Sequence, residues 1–392
     1  MPQIRNTLLP SEAAEIATLV YIVKKGTDTG KIFQDSSVAE KYNFTGEVDK
    51  TGRFEAKSGA FEFKSETGFG VIAKGIGDHY KNDALIVCRG TASSYDTLTD
   101  LNIGLQTSLT GHLVHSGFNR TFNGFAREII RYINTHKPAR IHYVGHSLGG
   151  ALATLAAALA VRKGVQVALY TFGCPRVGHN DFANYLSSSH LCGVENIHRV
   201  YHAGDPVAML PLWPFVHAPQ PYGECYIGKF IEFNPLQHFM SGYLKSVDGQ
   251  SWASLTRDHP SWDNHVIDWV TSDETGKYYG FNFYNLTMAM KAIKVAIKEV
   301  VASVLVPVNL IGTAGATVLD QLAMLMNKAA SMSTESKSFI MSLLRKIMKM
   351  LGITIQQGQS LTHTLIRFVL GRLMSALKMS ANMALQLGRV AV

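Results

Sequence analysis

The stretch Arg140-Ile-His-Tyr-Val144-Gly145-His146-Ser147-Leu148-Gly149-Gly150-Ala151 decides how the rest of this chain is read. Residues 140–144 read as a short strand, and the Ala-rich run from Leu148 to Lys163 reads as a helix. Between them lies G-x-S-x-G. A strand that runs straight into a helix needs a sharp turn, and the glycines on either side of Ser147 let the backbones cross closely. The serine then sits in a strained conformation with its hydroxyl at the edge of the sheet. The helix beyond it points its N-terminus at the same place, where developing negative charge is favoured.

Working outward, the pattern repeats. Ser11 to Val23 reads as an amphipathic opening helix, and Ala84-Leu-Ile-Val-Cys88 as a strand ending at Arg89-Gly90-Thr91. Phe118 to His136 reads as one helix, Val165 to Phe172 as a strand, and Ile197 to His202 as another. Strands alternating with helices predict an α/β fold with a mostly parallel sheet covered on both faces. In such sheets the chemistry gathers at the carboxyl ends of the strands.

A serine hydroxyl needs a base, and the base needs an orienting acid. Asp205, in His202-Ala-Gly-Asp205-Pro206-Val207, stands just past a strand end and is pinned by Gly204 and Pro206. For the base, the segment Asp258-His259-Pro-Ser-Trp-Asp-Asn-His265-Val-Ile-Asp-Trp269 offers two imidazoles. His265 is favoured, because it opens a short amphipathic helix that would hold its ring at a loop-to-helix junction; His259 is the alternative. The expected catalytic set is therefore Ser147, Asp205 and His265.

Composition narrows the possibilities. The 392 residues are 46% apolar and 17% charged, which excludes a disordered or fibrous chain. The formal net charge is +8, and from Phe281 onward twelve Lys and Arg face only three acidic residues. The body before that point is near-neutral, so the excess charge belongs to the tail. All four Trp and all fifteen Tyr lie at or before Tyr284, whereas eleven of the fourteen Met lie beyond it. The expected domains are thus 1–283, an α/β unit, and 284–392, a basic, Met-rich helical region of roughly four helices.

Residues 300–319 carry no charge. They read either as a buried hairpin of two core helices or as a membrane-inserting segment. Around them, basic amphipathic helices suit anionic lipid or a partner with an acidic groove. Nucleic acid is not expected, since basic and aromatic residues are not interleaved there. No Cys/His cluster suggests a metal, and no cofactor is expected. Cys88, Cys174, Cys192 and Cys225 read as buried free thiols. The N-terminal residues lack a secretory pattern, so synthesis in the cytosol is expected, with any export by another route.

Five blocks resemble the class 3 lipases, the fungal-type group within the α/β-hydrolases. They are Val87-Cys-Arg-Gly-Thr91 with Asp100-Leu101, Val114-His-Ser-Gly-Phe118, Gly145 to Ala151, Thr171-Phe-Gly-Cys-Pro-Arg-Val-Gly178, and Asp205-Pro-Val207. The resemblance covers roughly residues 60–270. It implies an α/β-hydrolase with a triad of Ser147, Asp205 and a His near 259–265. It also implies an oxyanion hole made by Thr91 and the Leu148 backbone N–H, and a lid over Ser93–Leu109. That segment is polar and lacks a Trp, which leaves room for phospholipid or more soluble esters. A lipid hydrolase with a basic tail and no leader also resembles bacterial lipase toxins injected by type VI secretion. That resemblance implies an immunity protein or secretion-machinery partner and action at a target-cell membrane. The other expectations are an intracellular lipid-remodelling lipase docked by its tail, and a catalytically silent hydrolase-fold interaction module.

Overall fold

The computed structural model describes residues 7–23, 28–44, 53–56, 67–90, 104–220, 224–228, 232–255, 265–272, 280–303, 317–354 and 359–390. Its strands are β1 (Tyr42–Asn43), β2 (Arg53–Ala56), β3 (Thr67–Gly75), β4 (Asp83–Cys88), β5 (Leu105–Thr107), β6 (Leu113–His115), β7 (Arg140–His146), β8 (Gln166–Phe172), β9 (Ile197–His202) and β10 (Cys225–Ile227). The main sheet runs β1-β3-β4-β7-β8-β9-β10, with β2 also paired to β3, while β5 and β6 form a separate hairpin. From β4 to β10 every pairing is parallel; β1, β2 and β4 each run antiparallel to β3.

Both faces of this sheet are buried, which is why its strands read as continuous apolar runs rather than alternating ones. Ala84, Ile86 and Cys88 of β4 point into one cluster, with Ile141 and Tyr143 of β7. Leu85, Val87 and Val144 point into the other. Helix α1 (Pro10–Leu19) covers that second face with Ala13, Ala14, Ile16 and Ala17. The first face receives α2 (Ser116–Asn123), α3 (Ala126–His136) and α4 (Leu148–Arg162). In α4 every residue from Leu148 to Val161 is buried, so its run of alanines is what lets a helix sit close on all sides. The single helix expected over 118–136 is two helices. The chain breaks at Gly124 and Phe125, and Phe122 and Phe125 meet edge to face at 5.3 Å in the same core.

The register matters most for function. Cys88 pairs with Gly145, His146 with Phe172, and Phe172 with Val200. The chain therefore leaves β4, β7, β8 and β9 along one edge, which brings Gly90, Ser147, Gly173 and Asp205 to the same side.

Beyond this sheet come α5 (Met240–Val247), α6 (Val266–Thr271), α7 (Phe283–Ser303), α8 (Val318–Ala330), α9 (Thr334–Met350) and α10 (His363–Val390). The composition shift near Tyr284 falls at the start of α7. The hydrophobic cluster does not stop there: Val207, Ala208, Met209 and Leu210 share it with Val266 and Trp269 of α6 and with Leu322, Leu343, Leu373 and Leu377 of the later helices. Residues 304–316, the middle of the uncharged run, lie outside the described residues. Among the described residues no helix is long and apolar enough to cross a membrane. All four cysteines are buried and free.

Candidate active site

Ser147 occupies the turn between β7 and α4 with φ 57° and ψ −130°, a left-handed backbone that costs a non-glycine residue on the order of 1–3 kcal/mol. Its neighbours explain how the turn closes. A Cβ on Gly145 would lie 2.3 Å from the Gly149 carbonyl oxygen, and one on Gly149 would lie 2.2 Å from the carbonyl oxygen of Cys88. Only bare glycines let these three backbones meet. The Ser147 N–H donates to the Phe172 carbonyl at 3.0 Å, which locks the turn to β8.

The imidazole facing Ser147 is that of His238. Its Nε2 lies 3.0 Å from Ser147 Oγ, and its Nδ1 lies 2.8 Å from Asp205 Oδ2. All three side chains are buried. His238 ends a tight turn, Pro235–His238, which leads directly into α5. The Asn234 side chain caps that turn by accepting from the Leu236 N–H at 3.0 Å. The Asn234 N–H donates to the Gly204 carbonyl at 2.9 Å, which ties the turn to the residue beside Asp205.

Asp205 is held from several sides. Oδ2 accepts from the Tyr243 hydroxyl at 2.7 Å, and Oδ1 accepts from the Val207 and Ala208 N–H groups at 2.9 and 3.4 Å. Burial alone would push this carboxyl up. The neighbouring His238 and the hydrogen bonds from His238 and Tyr243 outweigh it, and the net direction is below the usual carboxylate range. Gly173 completes the arrangement. At φ 53°, a Cβ there would stand 2.6 Å from Asp205 Oδ2 and 3.0 Å from His238 Nδ1.

Ser147 and Asp205, both singled out in the sequence, meet through the His238 ring. His265 does not join them: it is exposed, at the start of α6. The apolar side chains behind it do anchor the helix, but Val266, Trp269 and Val270 anchor it into the cluster shared with the C-terminal helices, and no hydrogen bond among the described residues joins His265 to Ser147 or Asp205. His259, Thr91 and most of Ser93–Leu109 lie outside the described residues. Leu148 is the first residue of α4, and its N–H is one of the four at a helix start without an intrahelical acceptor. Local motif reading missed His238 because Asn234-Pro-Leu-Gln-His238 matches no catalytic pattern.

A parallel sheet that presents a serine at a strand-to-helix elbow, with an aspartate beyond a later strand end and a histidine from a following turn, is an α/β-hydrolase architecture. Within it, residues 85–215 match the family model of class 3 lipases. Over 153 residues the chain is 35% identical to secreted mono- and diacylglycerol lipase 1 of Fusarium solani, covering 38% of this chain and 44% of that one. Over 157 residues it is 32% identical to secreted mono- and diacylglycerol lipase A of Penicillium cyclopium, covering 37% and 49%. The match thus spans less than half the length of these curated relatives. Among solved structures, the Lip2 lipase of Yarrowia lipolytica aligns with a TM-score of 0.42 at 24% identity, covering 58% of this chain and 81% of that one.

Proposed function

We propose that this protein is a serine hydrolase of lipid acyl esters, with Ser147 as nucleophile, His238 as base and Asp205 as the acid that orients it. The observation that carries this reading is the chain of contacts Ser147 Oγ, His238 Nε2, His238 Nδ1 and Asp205 Oδ2, at 3.0 and 2.8 Å in a buried site. Ser147 Oγ adds to the ester carbonyl carbon while its proton passes to Nε2. Nδ1–H keeps its bond to the Asp205 carboxylate, which stabilises the imidazolium without taking the proton. The oxyanion is received by the Leu148 N–H at the start of α4, with Thr91 as its partner donor. Nε2–H then protonates the departing alcohol, and a water activated by the same nitrogen releases the acid and restores Ser147.

The similarity of residues 85–215 to class 3 lipases, and the mono- and diacylglycerol lipases among the relatives, favour glycerolipid acyl esters as the substrate class. A fluorophosphonate probe tests the chemistry. Labelling of wild type that vanishes in Ser147→Ala supports the hydrolase, whereas an unlabelled wild type makes the chain a silent interaction module. Release of fatty acid from diacylglycerol and from phosphatidylglycerol vesicles, each against Ser147→Ala, separates lipase from phospholipase A action.

The outward face of α10 favours a lipid surface as the place of work. Phe368, Met379, Met383 and Leu387 are 54%, 67%, 50% and 42% exposed, and Arg372 is exposed among them. The helix carries no acidic residue, so its charge suits anionic lipid, each cation contributing about 1 kcal/mol. In this reading Ser147→Ala protein sediments with phosphatidylglycerol vesicles, and Met379→Ser with Met383→Ser releases it. Delivery as a toxin against bacterial membranes is a further form of the same proposal. It requires harm on routing to the periplasm and none from Ser147→Ala.

A further inference from the structure

Two buried histidines outside the Ser147, His238 and Asp205 set point at the backbone of the turn that carries His238. His146 ends β7, and its Nε2 lies 2.8 Å from the His238 carbonyl oxygen. His202 ends β9, and its Nδ1 lies 2.7 Å from the carbonyl oxygen of Gln237. A carbonyl can only accept, so each of these ring nitrogens carries a proton and donates it. The opposite nitrogens have acceptors' roles to match. His146 Nδ1 lies 2.8 Å from the Tyr21 hydroxyl, and His202 Nε2 lies 2.9 Å from the Ser246 hydroxyl. Burial holds both rings in the neutral form, with His146 pushed down to about 3 by burial and then by His238, and His202 lowered by burial. The two tautomers are therefore opposite: Nε2–H on His146 and Nδ1–H on His202.

The rings also pack against the site. His146 sits 4.6 Å from the His238 ring, and His202 lies flat on Tyr243 at 4.0 Å. Through Tyr21 the first arm continues toward the end of β4, where the Tyr21 hydroxyl lies close against Gly90.

We propose that His146 and His202 are positioning residues that clip the consecutive carbonyls of Gln237 and His238, and so set the height of the His238 ring between Ser147 and Asp205. This rests on the reading of those three as the reacting set. The turn at 235–238 belongs to no strand; Asn234 ties its start to Gly204 and α10 packs on it, while the two rings hold its last two carbonyls from strand ends. A misplacement of about 1 Å in such a group costs on the order of 100-fold in rate.

The test uses kcat and KM on a soluble p-nitrophenyl ester with the full chain. His146→Phe and His202→Phe keep a ring but remove the donor, and each is expected to lower kcat about 10- to 100-fold with KM changed by less than about 2-fold. Amide replacements read the tautomer. A Gln amide nitrogen falls near the Nε2 position and an Asn amide nitrogen near Nδ1. His146→Gln and His202→Asn should therefore recover activity, and His146→Asn and His202→Gln should not. Equal recovery by Asn and Gln at either position, or Phe variants with the wild-type kcat, would overturn the clip. A role in filling space alone predicts that outcome. If wild type shows no Ser147-dependent turnover, the hydrolase reading fails and crystal structures of the Phe variants decide. A His238 ring moved out of hydrogen-bond reach of Ser147 supports the clip, and an unmoved ring refutes it.

Discussion

The strand edge around Ser147 and the cluster beneath the C-terminal helices are assembled on different principles. At the edge, position is set by directed contacts: glycines without room for a Cβ, a strained serine, and a carboxylate with four hydrogen-bond donors. Under the helices, position is set by area. Leu343, Leu344, Leu373 and Leu377 are fully buried at helical spacing, and polar contacts such as Arg367 with Asp320 lie at the rim. Directed contacts tolerate almost no displacement, whereas apolar packing accepts substitutions of similar volume. The two regions nonetheless meet, because α10 packs on the turn that carries His238 and on Val207–Met209 beside Asp205.

That contrast can be broken most sharply with histidine. His238→Ala is expected to lower kcat about 10,000-fold, while His265→Ala leaves it within about 2-fold, as measured on a soluble ester. Comparable losses in both variants would return the base to the exposed helix. Next in size is Gly173→Ala. The added Cβ would strike Asp205 and His238 at a position already at φ 53°, and a fall in kcat of about 100-fold or more is expected, with folding checked by circular dichroism.

The apolar side of the comparison is read by stability. Leu377→Ala should cost about 2–5 kcal/mol in urea unfolding. Because the cluster is shared across the composition boundary, the loss should appear in one transition reported both by tryptophan fluorescence, which samples Trp252 on the sheet and Trp269 in the shared cluster, and by far-ultraviolet circular dichroism. Two separated transitions would make the helical region an independent unit.

Acid is expected to weaken the whole fold through its buried histidines. Burial lowers His115, His146 and His198 to about 3, so these rings are neutral in the folded protein and take up protons readily only when it unfolds. Below the ordinary histidine value the unfolded chain binds more protons, and stability falls as pH drops from about 6.5 toward 3. At pH 5 each ring contributes about 2 kcal/mol to that loss. A urea midpoint that stays flat between pH 7.5 and 5 would contradict it. Asp205, whose carboxyl is lowered in the folded state, gives stability present above the unfolded carboxylate range and lost only at still lower pH.

How much of this was legible in the chain follows from the range of each interaction. The serine elbow was readable because strand, glycines and helix lie within a dozen consecutive residues, and local geometry alone demands them. Asp205 was readable because a strand end, Gly204 and Pro206 surround it. The C-terminal helices and their charge imbalance were visible as periodicity and composition. His238 was not, since nothing in its immediate neighbourhood requires a base. Its partners are 91 and 33 residues away, and its carbonyl is held by a ring 92 residues distant. His265 looks equally well placed from its neighbours in the chain, but Val266, Trp269 and Val270 pack into the cluster of the C-terminal helices.

The order of residues by itself determined the parallel sheet, the turn that carries Ser147 and the carboxylate of Asp205 beyond the end of β9, because backbone sterics and side-chain periodicity act over a few residues. Only the folded arrangement decided which of fifteen histidines meets them. That choice depends on sheet register bringing several strand ends to one edge, and on buried hydrogen bonds that no short stretch of chain can form alone.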